Sequence, residues 1–245
     1  MINVLLSLMI VISFLAAIVL HECSHALMAL WLGDSTPRAE GRLTLRLRPH
    51  IDPLGTLMCV ILALQPLNAM AGVYPLGLGW GQPVKPDPWK LRTGANTGVL
   101  LVACAGLVSS LLIGIVAAVI ADFVSPFLIN NFFTVRILQL LVVFAVVNVS
   151  LAILNLLPIY PLDGYQILYT LLPSKQAVQF SRSATYGPFI ILIIFFVLPF
   201  IGQLAGISGF PLFRLGFYIW FGAVNLVGLF TGHGGLDFVL AAYSQ

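Results

Sequence analysis

The chain has 245 residues, of which 60% are hydrophobic and only 8% are charged, and its mean hydropathy is +1.06. Soluble domains carry about 25% charged residues, so this composition indicates an integral membrane protein. The formal net charge of +3 is small and its Lys and Arg residues lie between apolar segments, which excludes a nucleic-acid-binding surface and indicates a topology signal.

The first predicted element is a long helix over residues 2–32, which is almost wholly apolar over its first twenty positions and ends before Gly33. Its last third contains the motif His21-Glu22-Cys23-Ser24-His25. The two histidines are four positions apart and share one face of the helix, where they can hold one zinc ion with Glu22 beside a water molecule. Such a short pattern also arises by chance, but ionisable groups at the end of a membrane span are costly and are functional candidates.

Residues 36–49 alternate polar and apolar side chains, as in Arg42-Leu43-Thr44-Leu45-Arg46. This pattern predicts a β-strand or hairpin that lies at the membrane interface. An exposed strand edge can hold a peptide in extended form, so this segment, and Arg46 in it, is a candidate for substrate binding.

The apolar run over residues 55–72 is short for a membrane span, which needs about 20 residues, and Pro66 interrupts it. The run separates two basic loops, residues 33–49 and 73–96. If it crossed the membrane, these loops would lie on opposite sides, whereas the positive-inside rule favours both in the cytoplasm. We therefore predict a re-entrant segment, which is tolerated where it is buried in protein or lines a watery cavity.

Four further apolar runs are predicted to span the membrane: residues 97–120, 135–157, 188–204 and 212–230. The predicted fold is an all-α polytopic membrane protein with five full transmembrane helices, one re-entrant or short sixth membrane segment and a small interfacial β-hairpin or sheet. We expect residues 1–245 to form a single membrane domain. Its catalytic core is expected over about residues 1–172 and its accessory helices over about residues 186–232.

The second part of the predicted site follows the span over residues 135–157. Pro158 and Pro161 end that helix and leave Asp163 just beyond it, at the same membrane face as the two histidines. Asp163 is the best candidate for a third, oxygen ligand of the metal, although Asp-Gly pairs also occur commonly in plain turns. Asn155 can donate its amide to a substrate carbonyl or, alternatively, can bond between helices.

These two segments together resemble the site-2 protease family of intramembrane zinc metalloproteases. The resemblance extends to the family's compact branch, which lacks a PDZ domain, through Pro49-His50-Ile51-Asp52-Pro53-Leu54-Gly55 and Gly79-Trp80-Gly81-Gln82-Pro83-Val84-Lys85-Pro86. It implies that His21, His25 and Asp163 hold one Zn²⁺ per chain, that Glu22 is the general base and acid, and that Asn155 contacts substrate. The chain departs from the family pattern at Ala105-Gly106-Leu107-Val108-Ser109-Ser110, which affects helix packing and no expected ligand.

The predicted activity is hydrolysis of peptide bonds in or near transmembrane segments, as in regulated intramembrane proteolysis. The expected partners are a transmembrane protein substrate and membrane lipid, with no nucleic acid. The expected location is a prokaryotic cell membrane, with the site near its cytoplasmic side. A proton or metal transporter would spread ionisable groups through the membrane depth, whereas here they cluster at one end. A non-catalytic relative that only holds membrane proteins is a further alternative.

For most of the remaining polar or reactive residues we expect a role in the structure and not in the site. Cys23 is expected to pack its helix, and three cysteines in apolar segments do not form a disulfide framework. His50 can bond into the site or cap a loop, and His233 is expected in an exposed tail. Trp80 is expected to anchor a loop at the membrane interface.

Overall fold

The computed structural model describes residues 4–64, 76–128, 131–232 and 235–244. Within these residues the fold is helical, and five helices are long and apolar enough to cross a membrane. These are α1 (Val4–Trp31), α4 (Ala95–Leu128), α5 (Phe132–Asn155), α7 (Ser174–Leu204) and the run Pro211–Phe230, which contains α8 (Leu215–Phe230). The five predicted spans are therefore confirmed as helices. The shorter helices are α2 (Thr36–Ala39), α3 (Pro53–Ala63), α6 (Asp163–Leu171) and α9 (Gly235–Ser244).

Helix α1 ends as the sequence predicts, at a glycine. Gly33 has φ of 104°, a left-handed conformation that favours glycine, and the backbone N–H of Asp34 turns back to the carbonyl of Ala29 at 2.9 Å. The chain then leaves the helix axis about two to three turns beyond the site residues of α1.

Helices α1, α4 and α5 pack against one another and form the centre of the molecule. α4 and α5 approach closely because Gly114 lies against the backbone carbonyl of Ala145 and the side chain of Val149. Phe14 of α1 is fully buried in a cluster that also contains Val147 of α5. This packing fixes the positions of α4 and α5 relative to α1, which carries the histidine motif.

Helix α3 is followed by a segment that returns along it. The backbone N–H of Leu76 donates to the carbonyl of Leu62 at 3.1 Å, and Ile51 and Gly81 form an isolated antiparallel bridge. The chain thus enters α3 and leaves the returning segment at the same end, as expected of a re-entrant segment. Residues 65–72 of the predicted run lie outside the described residues, so the re-entrant insertion into a membrane stays a prediction.

The predicted β-hairpin over residues 36–49 is wrong. This stretch is fully described and contains α2 followed by turns, without a strand. Its polar backbone atoms are satisfied by side chains instead of by a neighbouring strand: Cys23 and His50 both contact the carbonyl of Thr44, at 3.1 and 2.8 Å, and the guanidinium of Arg42 donates to the carbonyls of Pro49 and Gln82.

The two basic loops meet at the C-terminal end of α1. The backbone N–H of Asp87 donates to the Asp34 carboxylate at 2.7 Å, and the Lys90 ammonium donates to Thr36 Oγ1 at 2.9 Å. The backbone N–H of Arg92 donates to the backbone carbonyl of Leu32 at 2.8 Å. Both loops therefore lie on one side of the helix bundle, as the predicted topology requires.

The C-terminal half adds two features that the sequence did not predict. α7 begins at Ser174, well before the predicted start, and includes a π-helical turn at Ile193–Val197. α9 packs across α5 and α8, where Gln139 donates to the Ala242 carbonyl at 2.6 Å. His233 lies outside the described residues. The division into a core and accessory helices stays a prediction.

Candidate metal centre

The motif on α1 is buried inside the helix bundle. The exposed fractions of His21, Glu22 and His25 are 2%, 4% and 5%, and their potential ligand atoms all lie within 4.8 Å of one another. The Nε2 atoms of the two histidines are 3.1 Å apart, with the rings nearly perpendicular. The spacing of four residues therefore places both imidazoles on one face, as predicted.

Asp163 is brought to the same point from the far end of α5. It is the first residue of α6, and Gly164 lets that helix start against the backbone of Leu156, because a Cβ there would lie 2.3 Å from the Leu156 carbonyl oxygen. Asp163 Oδ2 lies 3.1 Å from His21 Nε2, and Oδ1 lies 3.2 Å from His25 Nε2. Two segments separated by more than a hundred residues thus converge on one centre.

Helix α4 holds the opposite sides of both imidazole rings. His25 Nδ1 contacts the Val102 carbonyl at 2.7 Å and His21 Nδ1 contacts Ser110 Oγ at 2.9 Å. Between them, a Cβ on Gly106 would lie 2.3 Å from His25 Nε2, so only a glycine leaves room for the rings. The sequence indicated only helix packing for this stretch, and its contact with the site was not predicted. The signal that was available is the four-residue spacing of positions 102, 106 and 110 on one helix face.

The hydrogen-bond pattern leaves a place for a proton or a metal ion between these atoms. The Val102 carbonyl only accepts, so the proton of neutral His25 is on Nδ1 and its Nε2 carries a lone pair. That lone pair faces His21 Nε2 and a carboxylate oxygen of Asp163 at 3.1 and 3.2 Å, and electron-rich atoms approach so closely only around a proton or a metal ion.

The donor set fits zinc. Zinc prefers imidazole nitrogen and carboxylate oxygen at about 2.0–2.2 Å in tetrahedral geometry, which separates neighbouring ligand atoms by about 3.3–3.5 Å. The observed separations of 3.1–3.2 Å are only slightly shorter. A metal ligand at this position must be in the carboxylate form.

A cavity of about 260 Å³ opens beside this centre. Glu22, His25 and Asp163 line it, and among the described residues the Oε2 atom of Glu22 is buried without a hydrogen-bond partner. Residues of the non-helical segment 80–86 also line it, and in that segment Gly81 lies against Glu22 and leaves no space for a Cβ. Asn155 also lines the cavity and donates to the Leu151 carbonyl of its own helix at 2.9 Å.

A curated relative decides the family. Over 191 residues the chain is 30% identical to a Bacillus subtilis (strain 168) protein named "Putative zinc metalloprotease YwhC", a match that covers 77% of this chain and 80% of the relative. The chain belongs to the compact site-2 protease-like family. No family model matches the chain, and no solved structure matches it significantly.

Three residues considered in the sequence lie away from the centre of this site-2 protease-like chain. Arg46 is exposed, has no regular secondary structure and is not among the residues that line the cavity. His50 is fully buried and contacts Thr44, and burial lowers its pKa. Cys23 points to the same loop and not to the metal ligands. Arg46 and His50 lie in the loop that follows α1, and Cys23 contacts that loop from within α1.

The expectation for Trp80 is wrong. Its side chain is 2% exposed, and it packs against Gly55, where a Cβ would lie 2.1 Å from the Trp80 carbonyl oxygen. Trp80 therefore lies in the cavity wall and does not anchor a loop at a membrane surface.

Proposed function

We propose that this chain is an intramembrane zinc metalloprotease that hydrolyses peptide bonds in or near the transmembrane segments of membrane proteins. The observation that carries the proposal is the buried convergence of His21, His25 and Asp163 beside Glu22, within a bundle of helices able to span a membrane. The name of the Bacillus subtilis relative supports the same class of reaction.

In this proposal one zinc ion is held by His21, His25 and Asp163. When bound, zinc polarises the scissile carbonyl and lowers the pKa of water at the site toward about 7. Three protein ligands leave a fourth position open, as in other catalytic zinc sites.

The proposed role of Glu22 is proton transfer. Its unpartnered Oε2 atom and its place in the cavity wall suit a base that accepts a proton from the attacking water and then delivers it to the leaving amine. Asn155 is proposed to contact the substrate, because its amide lines the same cavity. Arg46 has no comparable support.

The depth of the site favours substrates that lie in the membrane. His25 stands six residues before the end of α1 at Trp31, about 9 Å inside the helix at 1.5 Å per residue. A substrate helix hides its carbonyls in its own hydrogen bonds, so it must unwind before cleavage. Its unwound segment would pass the wall over residues 80–86, which takes the place of the strand edge expected at residues 42–48.

The location proposed for the protein is a prokaryotic cell membrane, with the site near the cytoplasmic face. The two basic loops pack together at the end of the bundle nearest the site, and basic loops favour the cytoplasm. The partners in this setting are a transmembrane protein substrate and the surrounding lipid.

The test is cleavage of a single-span reporter protein by the purified enzyme in liposomes. Glu22→Gln should retain zinc and lose at least about 100-fold in rate, because proton transfer is removed while the metal ligands remain. Glu40→Gln, which changes an exposed carboxylate near the same end, should cut normally. Equal cutting by zinc-loaded Glu22→Gln would exclude the proposed mechanism.

A further inference from the structure

The two imidazoles of the centre are held from behind by partners of different chemistry. His25 Nδ1 faces the backbone carbonyl of Val102 at 2.7 Å, and a carbonyl can only accept. His21 Nδ1 faces the Ser110 hydroxyl at 2.9 Å, and a hydroxyl can accept or donate. The tautomer of His25 is therefore fixed by the backbone, whereas the tautomer of His21 depends on one side chain.

The contact between Ser110 and His21 is buried inside the helix bundle. The exposed fraction of Ser110 is 0%, and that of His21 is 2%, so bulk water does not reach the Nδ1 atom. Gly106, one turn earlier on α4, lies against the same rings and brings the helix close enough for the hydroxyl to reach. The neighbouring Ser109 differs, because its hydroxyl donates to the Gly106 carbonyl of its own helix.

We propose that Ser110 is a positioning residue for the metal centre: its hydroxyl accepts the Nδ1 proton of His21 and thereby directs the Nε2 lone pair toward the cation. The inference rests on the proposed function, because it assigns His21 as a ligand. Partners that fix the tautomer and orientation of a ligating histidine typically contribute 10- to 100-fold to metal affinity.

A hydroxyl at this position also suits the metal-free protein. By rotating, Ser110 can donate to Nδ1 and leave the proton of His21 on Nε2, which lies 3.1 Å from Asp163 Oδ2 and 3.1 Å from His25 Nε2. That proton then takes the place of the cation between the three groups. The Val102 carbonyl cannot offer the same choice to His25.

The experiment compares two isosteric variants, Ser110→Thr and Ser110→Val, which differ in one hydroxyl group. Zinc affinity is measured by competition with a chromophoric chelator, and the ligand field is measured from the visible absorption of Co²⁺-loaded protein. We expect Thr to bind zinc like the wild type, and Val to bind it 10- to 100-fold more weakly with an altered Co²⁺ spectrum. Ser109→Ala is the matched control and should bind like the wild type.

Wild-type zinc affinity and a wild-type Co²⁺ spectrum in both the Thr and the Val variant would overturn the role of Ser110. If the added methyl group disturbs both variants, the comparison of Ser110→Ala with Ser109→Ala decides in the same way. A wild-type protein that binds no zinc would instead contradict the proposed function, so the two failures are distinguishable.

Discussion

Gly106 determines how closely α4 approaches the two imidazoles. In Gly106→Ala the new Cβ would lie 2.3 Å from His25 and 2.8 Å from His21 Cε1, so at least one ring must move. A displacement of about 1 Å at a reacting centre can cost about 100-fold in rate. We expect that loss in reporter cleavage, together with weaker zinc binding.

The matched control for this change is Gly222→Ala in α8. A Cβ there would meet Ile153 Cδ1 at 3.6 Å, an ordinary contact, and alanine favours a helix by about 0.5–1 kcal/mol over glycine. This variant should cut normally and unfold at an equal or higher temperature. A Gly106→Ala enzyme with wild-type rate and zinc content would show that the rings do not need this space.

At the scale of residues, the sequence predicted the ionisable groups that converge at the centre but not the residues that contact them from α4. His21, Glu22, His25 and Asp163 were predicted because few residue types bind zinc and ionisable side chains are rare in this chain. Ser110 was missed because a small polar residue in a span has an ordinary role in helix packing. The face of α4 that meets α1 depends on tertiary packing, which spacing alone does not specify.

At the scale of elements, Asp34 joins the two loops above the site. Its carboxylate is fully buried and accepts from the backbone N–H groups of Thr36 at 2.9 Å and Asp87 at 2.7 Å. Asp34→Ala leaves both donors without their acceptor, so we expect a loss of about 1–3 kcal/mol in stability, measured as thermal unfolding in detergent. Glu40→Ala, an exposed carboxylate in the same loop, should have little effect.

The Asp34 contribution should also depend on pH. Burial raises the pKa of this carboxyl, but the hydrogen bonds from Thr36 and Asp87 outweigh it and the pKa lies below its ordinary value of 3.8. A carboxyl with a lowered folded-state pKa stabilises the protein above its unfolded-state pKa and loses that effect as the pH falls through the folded-state value. The stability difference between wild type and Asp34→Ala should therefore be constant near neutral pH and shrink only below about pH 4. A difference that already shrinks between pH 7 and 5 would contradict this assignment.

The segment after α1 shows where an element could not be predicted. Its alternating Arg and Leu residues indicated a strand. However, the Leu45 side chain is 75% exposed and the Arg42 side chain is only 9% exposed, so the apolar residues do not form a buried face. Exposure of leucine costs less free energy beside a membrane than in water. Alternation of polar and apolar residues is therefore a weaker signal for a strand there. The Arg42 guanidinium, which bonds two backbone carbonyls, takes the place of a paired strand.

At the scale of the whole molecule, the contact between the basic loops predicts their topology. Cysteines introduced at Arg46 and Lys90, in a background without Cys23, Cys59 and Cys104, should be labelled by an impermeant reagent from the same side of the membrane. A cysteine at the exposed Phe133, in the first turn of α5, should be labelled from the other side. Labelling of positions 46 and 90 from opposite sides would mean that the segment between them spans the membrane.

The course of the chain through the bundle was largely predictable because hydropathy and length determine which segments can cross a bilayer. The five spans agree with the predicted runs to within a few residues at most ends. The main exception is α7, whose polar first turns at Ser174–Ser181 have no hydropathy signal. α9 was also missed, since only its packing against α5 and α8 distinguishes it from a tail.

The central claim is that two remote segments hold one cation, and zinc content tests it most directly. After brief dialysis against a weak chelator, elemental analysis should find about one zinc per chain in the wild type and in Glu22→Gln, which keeps all three ligands. Asp163→Ala and His25→Ala should each lose it, whereas Asp237→Ala, a carboxylate remote from the site, should not. Retention of zinc by Asp163→Ala at the wild-type level, or its absence from the wild type, would contradict the account.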